Sequence, residues 1–247
     1  MAGTGRQLTD QQRAALAVMN IPVWTRRLEL AAPSPLPASL APPPVLAPEP
    51  ATATATDAGG EDWQTLEHEA LGCTKCILHQ TRTKVVFGVG DRRARWMVIG
   101  EAPGADEDRQ GEPFVGRAGQ LLNEMLLAAG VARDEVYIAN ILKCRPPENR
   151  DPKPEESESC EGYLKRQIAL VKPGLLLAVG RIAAQKLLGT DTPIGKLRGA
   201  VHRYGPAAIP LVVTYHPAYL LRSPGQKRKS WEDLCLARAT VPPKDER

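Results

Sequence analysis

The alternation of short apolar runs with amphipathic segments between residues 95 and 215 is the feature that most constrains the fold. Apolar runs over residues 95–100, 135–140, 174–180 and 209–215 have the length and composition of buried strands. Helices are predicted around residues 121–129, over residues 154–171 and over residues 182–188. Because strands separated by helices pair in parallel through right-handed crossovers, the sequence predicts an α/β domain with both faces of the sheet covered.

Polar residues follow directly after the four predicted strands. They are Glu101, Asn140, Arg181 and His216. Ligands of parallel α/β sheets bind beyond the carboxyl ends of the strands, so these positions predict a polar ligand site. The alternative is that the strands simply end in polar loops.

Composition divides the chain near residue 60. Residues 31–60 contain eight Pro, nine Ala and no aromatic residue, which predicts a disordered, semi-extended linker. Within residues 1–30, Asp10 is predicted to cap a short helix that ends near Met19. This segment either docks on its own domain or folds on a replication or repair partner. The folded domain is predicted over residues 61–247.

Four of the five cysteines suggest a metal centre. Cys73 and Cys76 form a C-x2-C pair, and Cys144 and Cys160 follow. Four thiolates suit a tetrahedral zinc ion or an iron–sulfur cluster. The missing second C-x2-C pair favours iron–sulfur only slightly, and spacing leaves both metals open. Cys235 lies in an apolar pattern that predicts a buried core thiol.

A glycine-rich segment over residues 100–119 follows the first predicted strand. It lacks the Gly-Lys-Ser/Thr ending of a phosphate-binding loop and the glycine spacing of a dinucleotide fingerprint. Its four carboxylates between residues 101 and 108 disfavour a triphosphate. The segment therefore predicts a pocket for a flat, neutral ring, with Phe114 either stacking on that ring or packing in the core.

Charge and hydropathy bound the partners. The net charge of +4 permits nucleic-acid binding without demonstrating it, and residues 226–229 form either a basic patch or an ordinary solvated surface. No apolar run approaches the length of a membrane-spanning helix. We expect a cytoplasmic monomer that does not contact membranes.

The chain resembles the family 4 uracil-DNA glycosylases, which carry an iron–sulfur cluster. The matching stretches are GEAPGADEDRQGEPFVGRAGQLL (100–122), NILKCRPPENRDP (140–152), PIGKLRG (193–199) and YHPAYLLR (215–222). The resemblance covers about residues 65–236. It implies a three-layer α/β/α fold with a four-stranded parallel sheet, and hydrolysis of the N-glycosidic bond of deoxyuridine in DNA. It also implies a [4Fe–4S] cluster, held by Cys73, Cys76, Cys144 and Cys160.

The resemblance implies roles for residues at the matching positions. Glu101 would orient the attacking water, Asn140 would bind the amide edge of uracil, and His216 would stabilise charge on the departing uracil oxygen. Phe114 would stack on the flipped base, and Glu107 would exclude the 5-methyl group of thymine. Gly100 and Ala102 complete the implied substrate site. The DNA strand would be gripped by Tyr219, Leu220, Leu221 and Arg222, with support from Tyr215.

Other functions remain open at this point. A non-catalytic iron–sulfur DNA-binding or scaffold protein could use the same fold. From the residues without the resemblance, a zinc protein that binds nucleotides is also compatible. No strong candidate for a Schiff-base lysine is evident, so a glycosylase would act by hydrolysis without lyase activity.

Overall fold

A computed structural model describes residues 8–23 and 63–242. These described residues form one compact unit. The predicted linker over residues 31–60 lies outside the described residues. Within the described part of the chain, no helix is both long enough and apolar enough to cross a membrane.

The described residues form a six-stranded mixed sheet. The strands are β1 (Val89–Gly90), β2 (Trp96–Gly100), β3 (Val136–Asn140), β4 (Leu175–Val179), β5 (Val201–Tyr204) and β6 (Ile209–Thr214). Their order is β1-β3-β2-β4-β6-β5. The four central strands are parallel, as predicted, and each of the two outer strands pairs antiparallel with its neighbour.

The two antiparallel edge strands correct the prediction of a purely parallel four-stranded sheet. Strand β1 has only two residues, and β5 alternates between exposed and half-buried positions. Neither strand has the continuous apolar run that marks a strand buried on both faces. Both become strands only by pairing with a buried neighbour.

Helices cover both faces of the sheet. They are α1 (Asp10–Val18), α2 (Trp63–Leu71), α3 (Ala105–Gln110), α4 (Arg117–Ala128), α5 (Pro154–Val171), α6 (Arg181–Leu188), α7 (Ile194–Leu197), α8 (Pro217–Arg222) and α9 (Lys227–Thr240). Alternate residues of β2 face opposite sides: Val98 packs in the core that contains α4 and α9, and Ile99 in the core that contains α5 and α6. The predicted three-layer α/β/α architecture is thereby confirmed.

Helix α1 packs against this unit. Its cap is Thr9, one residue before the predicted Asp10, because the Thr9 side chain accepts a hydrogen bond from the Gln12 amide. Leu16 and Met19 are buried in the same core as α4. The Lys227 ammonium of α9 donates to the carbonyl of Val18 at 2.8 Å. The structure therefore supports the first of the two alternatives for this segment: residues 8–23 dock on the chain's own domain.

Helix α9 places Cys235 on the surface. Leu234 and Ala237 are buried in the core, whereas Cys235 is exposed. Successive residues of a helix are about 100° apart, so a cysteine next to a core leucine turns towards solvent. The prediction of a buried thiol was wrong, because the apolar residues around Cys235 do not determine which side of the helix faces the core.

Candidate active site

A cavity of about 440 Å³ opens at the carboxyl ends of the parallel strands. That volume lies within the usual range for small-molecule sites. Of the residues singled out from the sequence, its lining contains Glu101, Ala102, Glu107, Phe114, Asn140, His216, Tyr219 and Arg222. Arg181 instead forms an ion pair with Asp151 at 2.7 Å. The topology thus brings together three of the four polar residues that follow strands.

Asn140 contributes a buried amide at the end of β3. The residue is only 2% exposed, and its Oδ1 atom has no hydrogen-bond partner among the described residues. Leaving a buried acceptor unsatisfied costs about 1–3 kcal/mol. An amide in this state, lining a cavity, is suited to accept a hydrogen bond from a ligand.

Gly100 lies opposite Asn140 in the register of β2 and β3. A Cβ atom at this position would lie 2.4 Å from Asn140 Oδ1 and 2.7 Å from Phe114 Cζ. Any side chain would therefore displace both groups. Glycine is required here for close packing of two candidate ligand-binding side chains.

Phe114 presents its ring next to His216. The two ring centroids are 5.6 Å apart, with 30° between the ring planes. Phe114 adopts a positive φ of 55°, and a Cβ atom on Gly119 would lie 1.8 Å from its carbonyl oxygen. The ring is both part of a core cluster and part of the cavity wall, so the two interpretations given for it are compatible.

Glu107 holds the loop that carries Phe114. Its Oε1 accepts hydrogen bonds from the amides of Val115 (3.0 Å) and Gly116 (3.1 Å), and its Oε2 accepts one from Gly104 (3.1 Å). Hydrogen bonds to a charged acceptor are stronger than neutral ones. The sequence interpretation missed this contact, although a glycine followed three residues later by Glu is the spacing of a capping box.

His216 caps helix α8 and has a defined tautomer. Its Nδ1 accepts the backbone N–H of Ala218 at 3.1 Å, so in the neutral ring the proton resides on Nε2. Burial, together with the cationic Arg222, lowers the pKa of His216 to about 4, although Glu107 opposes the effect. At neutral pH, His216 is therefore an uncharged ring that can donate through Nε2–H.

Glu101 follows β2 and titrates near neutrality. Burial and the neighbouring Asp151 carboxylate raise its pKa to about 7, against the opposing effect of Arg181. A carboxyl group with a pKa near the working pH is suited to general base catalysis. Glu101 can thus accept a proton from water at neutral pH.

The segment after His216 is helix α8 and not an exposed loop. Leu220 is fully buried in the core, whereas Tyr219 and Leu221 are 36% and 37% exposed. Pro217 and Leu220 are three positions apart in this helix and are both buried, so they lie on its inward face. The prediction that Leu220 faces DNA therefore disagrees with its burial, whereas its neighbours remain accessible.

The four clustered cysteines line one small second cavity. Cys144 Sγ accepts a hydrogen bond from Arg82 at 3.1 Å, and Cys160 Sγ accepts the backbone N–H of Lys143 at 3.3 Å. In the described part of the chain, no group of three or more His, Cys, Asp or Glu side chains is placed to hold a metal ion. Four thiols around one cavity, with N–H donors directed at two of the sulfurs, are a donor set that fits an iron–sulfur cluster as well as a zinc ion.

A larger cavity of about 950 Å³ lies between α5, α6 and the β5–β6 connection. Among the described residues that line it, none is a candidate site residue. The smaller cavity at the strand ends is therefore the better candidate for the active site, because candidate residues line it.

Comparison with known proteins identifies a family for this chain. A family model described as the uracil DNA glycosylase superfamily matches residues 87–238. A type-4 uracil-DNA glycosylase of Archaeoglobus fulgidus is 45% identical over 70% of this chain and 89% of its own length. The enzymes of the same name from Pyrobaculum aerophilum (42% identical, 71% of this chain, 92% of the relative) and Thermotoga maritima (46%, 68% and 89%) agree. The chain is thus a member of the uracil DNA glycosylase superfamily.

Proposed function

We propose that this protein is a uracil-DNA glycosylase of type 4, which releases uracil from DNA and leaves an abasic site in base excision repair. The relatives at 42–46% identity carry this name. The observation in the structure that best supports the proposal is the Oδ1 atom of Asn140, which lies in the wall of the cavity at the strand ends and has no hydrogen-bond partner among the described residues. The protein would thus be a hydrolase that cleaves N-glycosidic bonds.

Recognition of uracil is assigned to Asn140 and Phe114. A base within a duplex has to be flipped out before a pocket can read it. The flipped ring would stack on Phe114. Asn140 Oδ1 would accept the N3–H of uracil, and its Nδ2 would donate to the O4 atom, because one amide group carries both functions. Binding would give Asn140 Oδ1 the partner that it lacks among the described residues.

Discrimination against thymine is assigned to Glu107. Its carboxylate lines the cavity and is held by three backbone amides. A fixed side chain excludes a methyl group better than a mobile one, because it cannot move aside without losing its hydrogen bonds. Ala102 lies in the same wall.

Bond cleavage is assigned to His216 and Glu101. As the N-glycosidic bond breaks, its electron pair leaves with uracil and the sugar becomes an oxocarbenium-like cation. The neutral His216 would donate Nε2–H to the developing negative charge on uracil O2. Glu101 would accept a proton from the water whose oxygen bonds to C1′ of the sugar. The uracil anion takes up a proton from solvent after it departs.

The cluster is assigned to Cys73, Cys76, Cys144 and Cys160, which would hold a [4Fe–4S] centre. When bound, this group would supply a rigid crosslink between the segment after α2, the segment after β3, and α5. Ligation would then be coupled to folding.

Contacts with the DNA strand are assigned to Tyr219, Leu221, Arg222 and the basic residues 227–229. Arg222 lines the cavity next to His216. Cationic side chains near a flipped nucleotide would bind phosphates and give salt-dependent affinity.

The test is release of uracil from a labelled oligonucleotide by anaerobically purified protein. We expect uracil release, no release of thymine from a matched oligonucleotide, and no strand cleavage until the abasic site is treated with alkali. Asn140→Ala is the control for contaminating activity, because it should lower release without affecting folding. Tight binding of uracil-containing DNA without release would instead indicate a non-catalytic binding protein.

A further inference from the structure

Lys143 joins the two cavities of the molecule. The residue lies between Asn140 and Cys144 in the sequence and is only 2% exposed. Its ammonium donates to the backbone carbonyl of Asn140 at 2.9 Å, and its own backbone N–H donates to Cys160 Sγ at 3.3 Å. One residue therefore contacts both the candidate uracil-reading residue and the candidate cluster.

The second acceptor of the Lys143 ammonium is Gln167 of α5, whose Oε1 lies 2.6 Å away. The amide of Gln167 is held in this orientation because its Nε2 donates to the Phe87 carbonyl (2.9 Å) and to the Tyr137 hydroxyl (3.1 Å). The ammonium thus lies between two buried oxygens, the Asn140 carbonyl and Gln167 Oε1. The ammonium therefore connects the end of β3 to α5.

Charge makes the arrangement unusual. Both acceptors of the ammonium, the backbone carbonyl of Asn140 and the side-chain amide of Gln167, are uncharged, and a buried cation without an opposite charge is costly. Lys143 also lines the cavity of the four cysteines. Thiolates that hold an iron–sulfur cluster give it a net negative charge, which would balance the ammonium at short range.

We propose that Lys143 is a positioning residue that couples the cluster to uracil recognition, its ammonium being the counter-charge of the cluster and the support for the backbone of Asn140. The inference rests on the proposed function and extends it to a residue that does not touch uracil. Because Lys143 contacts both groups, a change at this residue alters retention of the cluster as well as positioning of the Asn140 amide.

The test is a double-mutant cycle on protein with its cluster. Lys143→Met should lower the single-turnover rate of uracil release by about 10–100-fold, the usual effect of removing a residue that orients a binding residue through a hydrogen bond. In the Asn140→Ala background, the same change should alter the rate by less than about twofold, because the amide that Lys143 positions is already gone. Lys165→Met, on the exposed face of α5, is the matched control and should leave the rate unchanged.

A second readout follows the cluster itself. Loss of visible absorbance in the presence of an iron chelator should be several-fold faster in Lys143→Met than in the parent or in Lys165→Met. If Lys143→Met is insoluble, Gln167→Leu removes one acceptor and keeps the charge, and it replaces Lys143→Met in the rate cycle with the same expected pattern.

Multiplicative rate losses in the cycle, or unchanged cluster retention in Lys143→Met, would overturn the proposal. If the parent protein itself releases no uracil, the proposed function fails instead, which is a separate outcome.

Discussion

Glu101→Gln should abolish rapid uracil release and also make the protein more stable above neutral pH. Burial and Asp151 raise the pKa of Glu101 from its ordinary value of 4.5 to about 7. A carboxyl group whose pKa is raised by folding stabilises the fold in its protonated form below its unfolded pKa, and that contribution is lost as the pH rises through about 7. Glutamine has the shape of the protonated side chain but never ionises.

The magnitude follows from the rise in pKa. Each pKa unit corresponds to about 1.4 kcal/mol, so the rise from 4.5 to about 7 means that ionising Glu101 in the folded protein costs at most about 3.5 kcal/mol. Solvent that reaches the partly exposed carboxylate reduces the cost to about 1–2 kcal/mol. The difference in free energy of unfolding between Glu101→Gln and the parent should therefore grow by about 1–2 kcal/mol between pH 5 and pH 8.

Denaturant unfolding of the variant and the parent at pH 5 and pH 8 measures this difference. Subtracting the value at pH 5 from the value at pH 8 removes any effect of the glutamine amide that does not depend on pH. In the parent, the single-turnover rate should rise about tenfold from pH 6 to a plateau above pH 8, because ionised Glu101 is the active form. His216 stays neutral over this range, since its pKa is about 4. A stability difference that is the same at both pH values, or a flat rate profile, would refute the reasoning.

Three further changes probe other parts of the site. His216→Ala should lower the single-turnover rate of uracil release by about 10²–10³-fold and spare binding of abasic DNA, because it removes one donor to developing charge; an unchanged rate would exclude His216 from the mechanism. Glu107→Ala should lower the free energy of unfolding by about 1.5–3 kcal/mol and slow uracil release, because it frees the loop of Phe114, whereas a Glu107 that acted on the methyl group alone would leave stability unchanged. Cys144→Ser should lower solubility, DNA binding and visible absorbance together, and a colourless protein of full stability would contradict the structural role of the cluster.

The central sheet was predictable because its strands are buried on both faces and so read as continuous apolar runs. The candidate site was predictable for a related reason: the carboxyl ends of parallel strands meet at one edge, which brings Glu101, Asn140 and His216 together. Strand β1 was not predictable, because it has two residues and its partner β3 is distant in sequence. Strand β5 was not predictable, because its exposed and half-buried residues form no continuous apolar run.

Contacts that depend on tertiary structure also escaped prediction. The support that Lys143 gives to Asn140 needs an amide 24 residues later in the chain, on α5. Leu220 is buried because the six residues after His216 form a short helix. Six residues are too few for the helical spacing of apolar residues to be recognised in the sequence. These differences concern how the chain packs, and none of them changes which polar groups line the cavity.

Helix α1 provides a final test, which separates stability from catalysis. Leu16 is 2% exposed against α4, whereas Val18 on the same helix is 53% exposed. Leu16→Ala should therefore lower the free energy of unfolding by about 2–3 kcal/mol, and Val18→Ala should have little effect. Uracil release from short oligonucleotides at 25 °C should stay within a few-fold of the parent in both variants, because the cavity lining contains no described residue of α1. Equal stability of the two variants would show that the helix does not dock in solution, and would favour the alternative in which residues 1–30 bind a replication or repair partner.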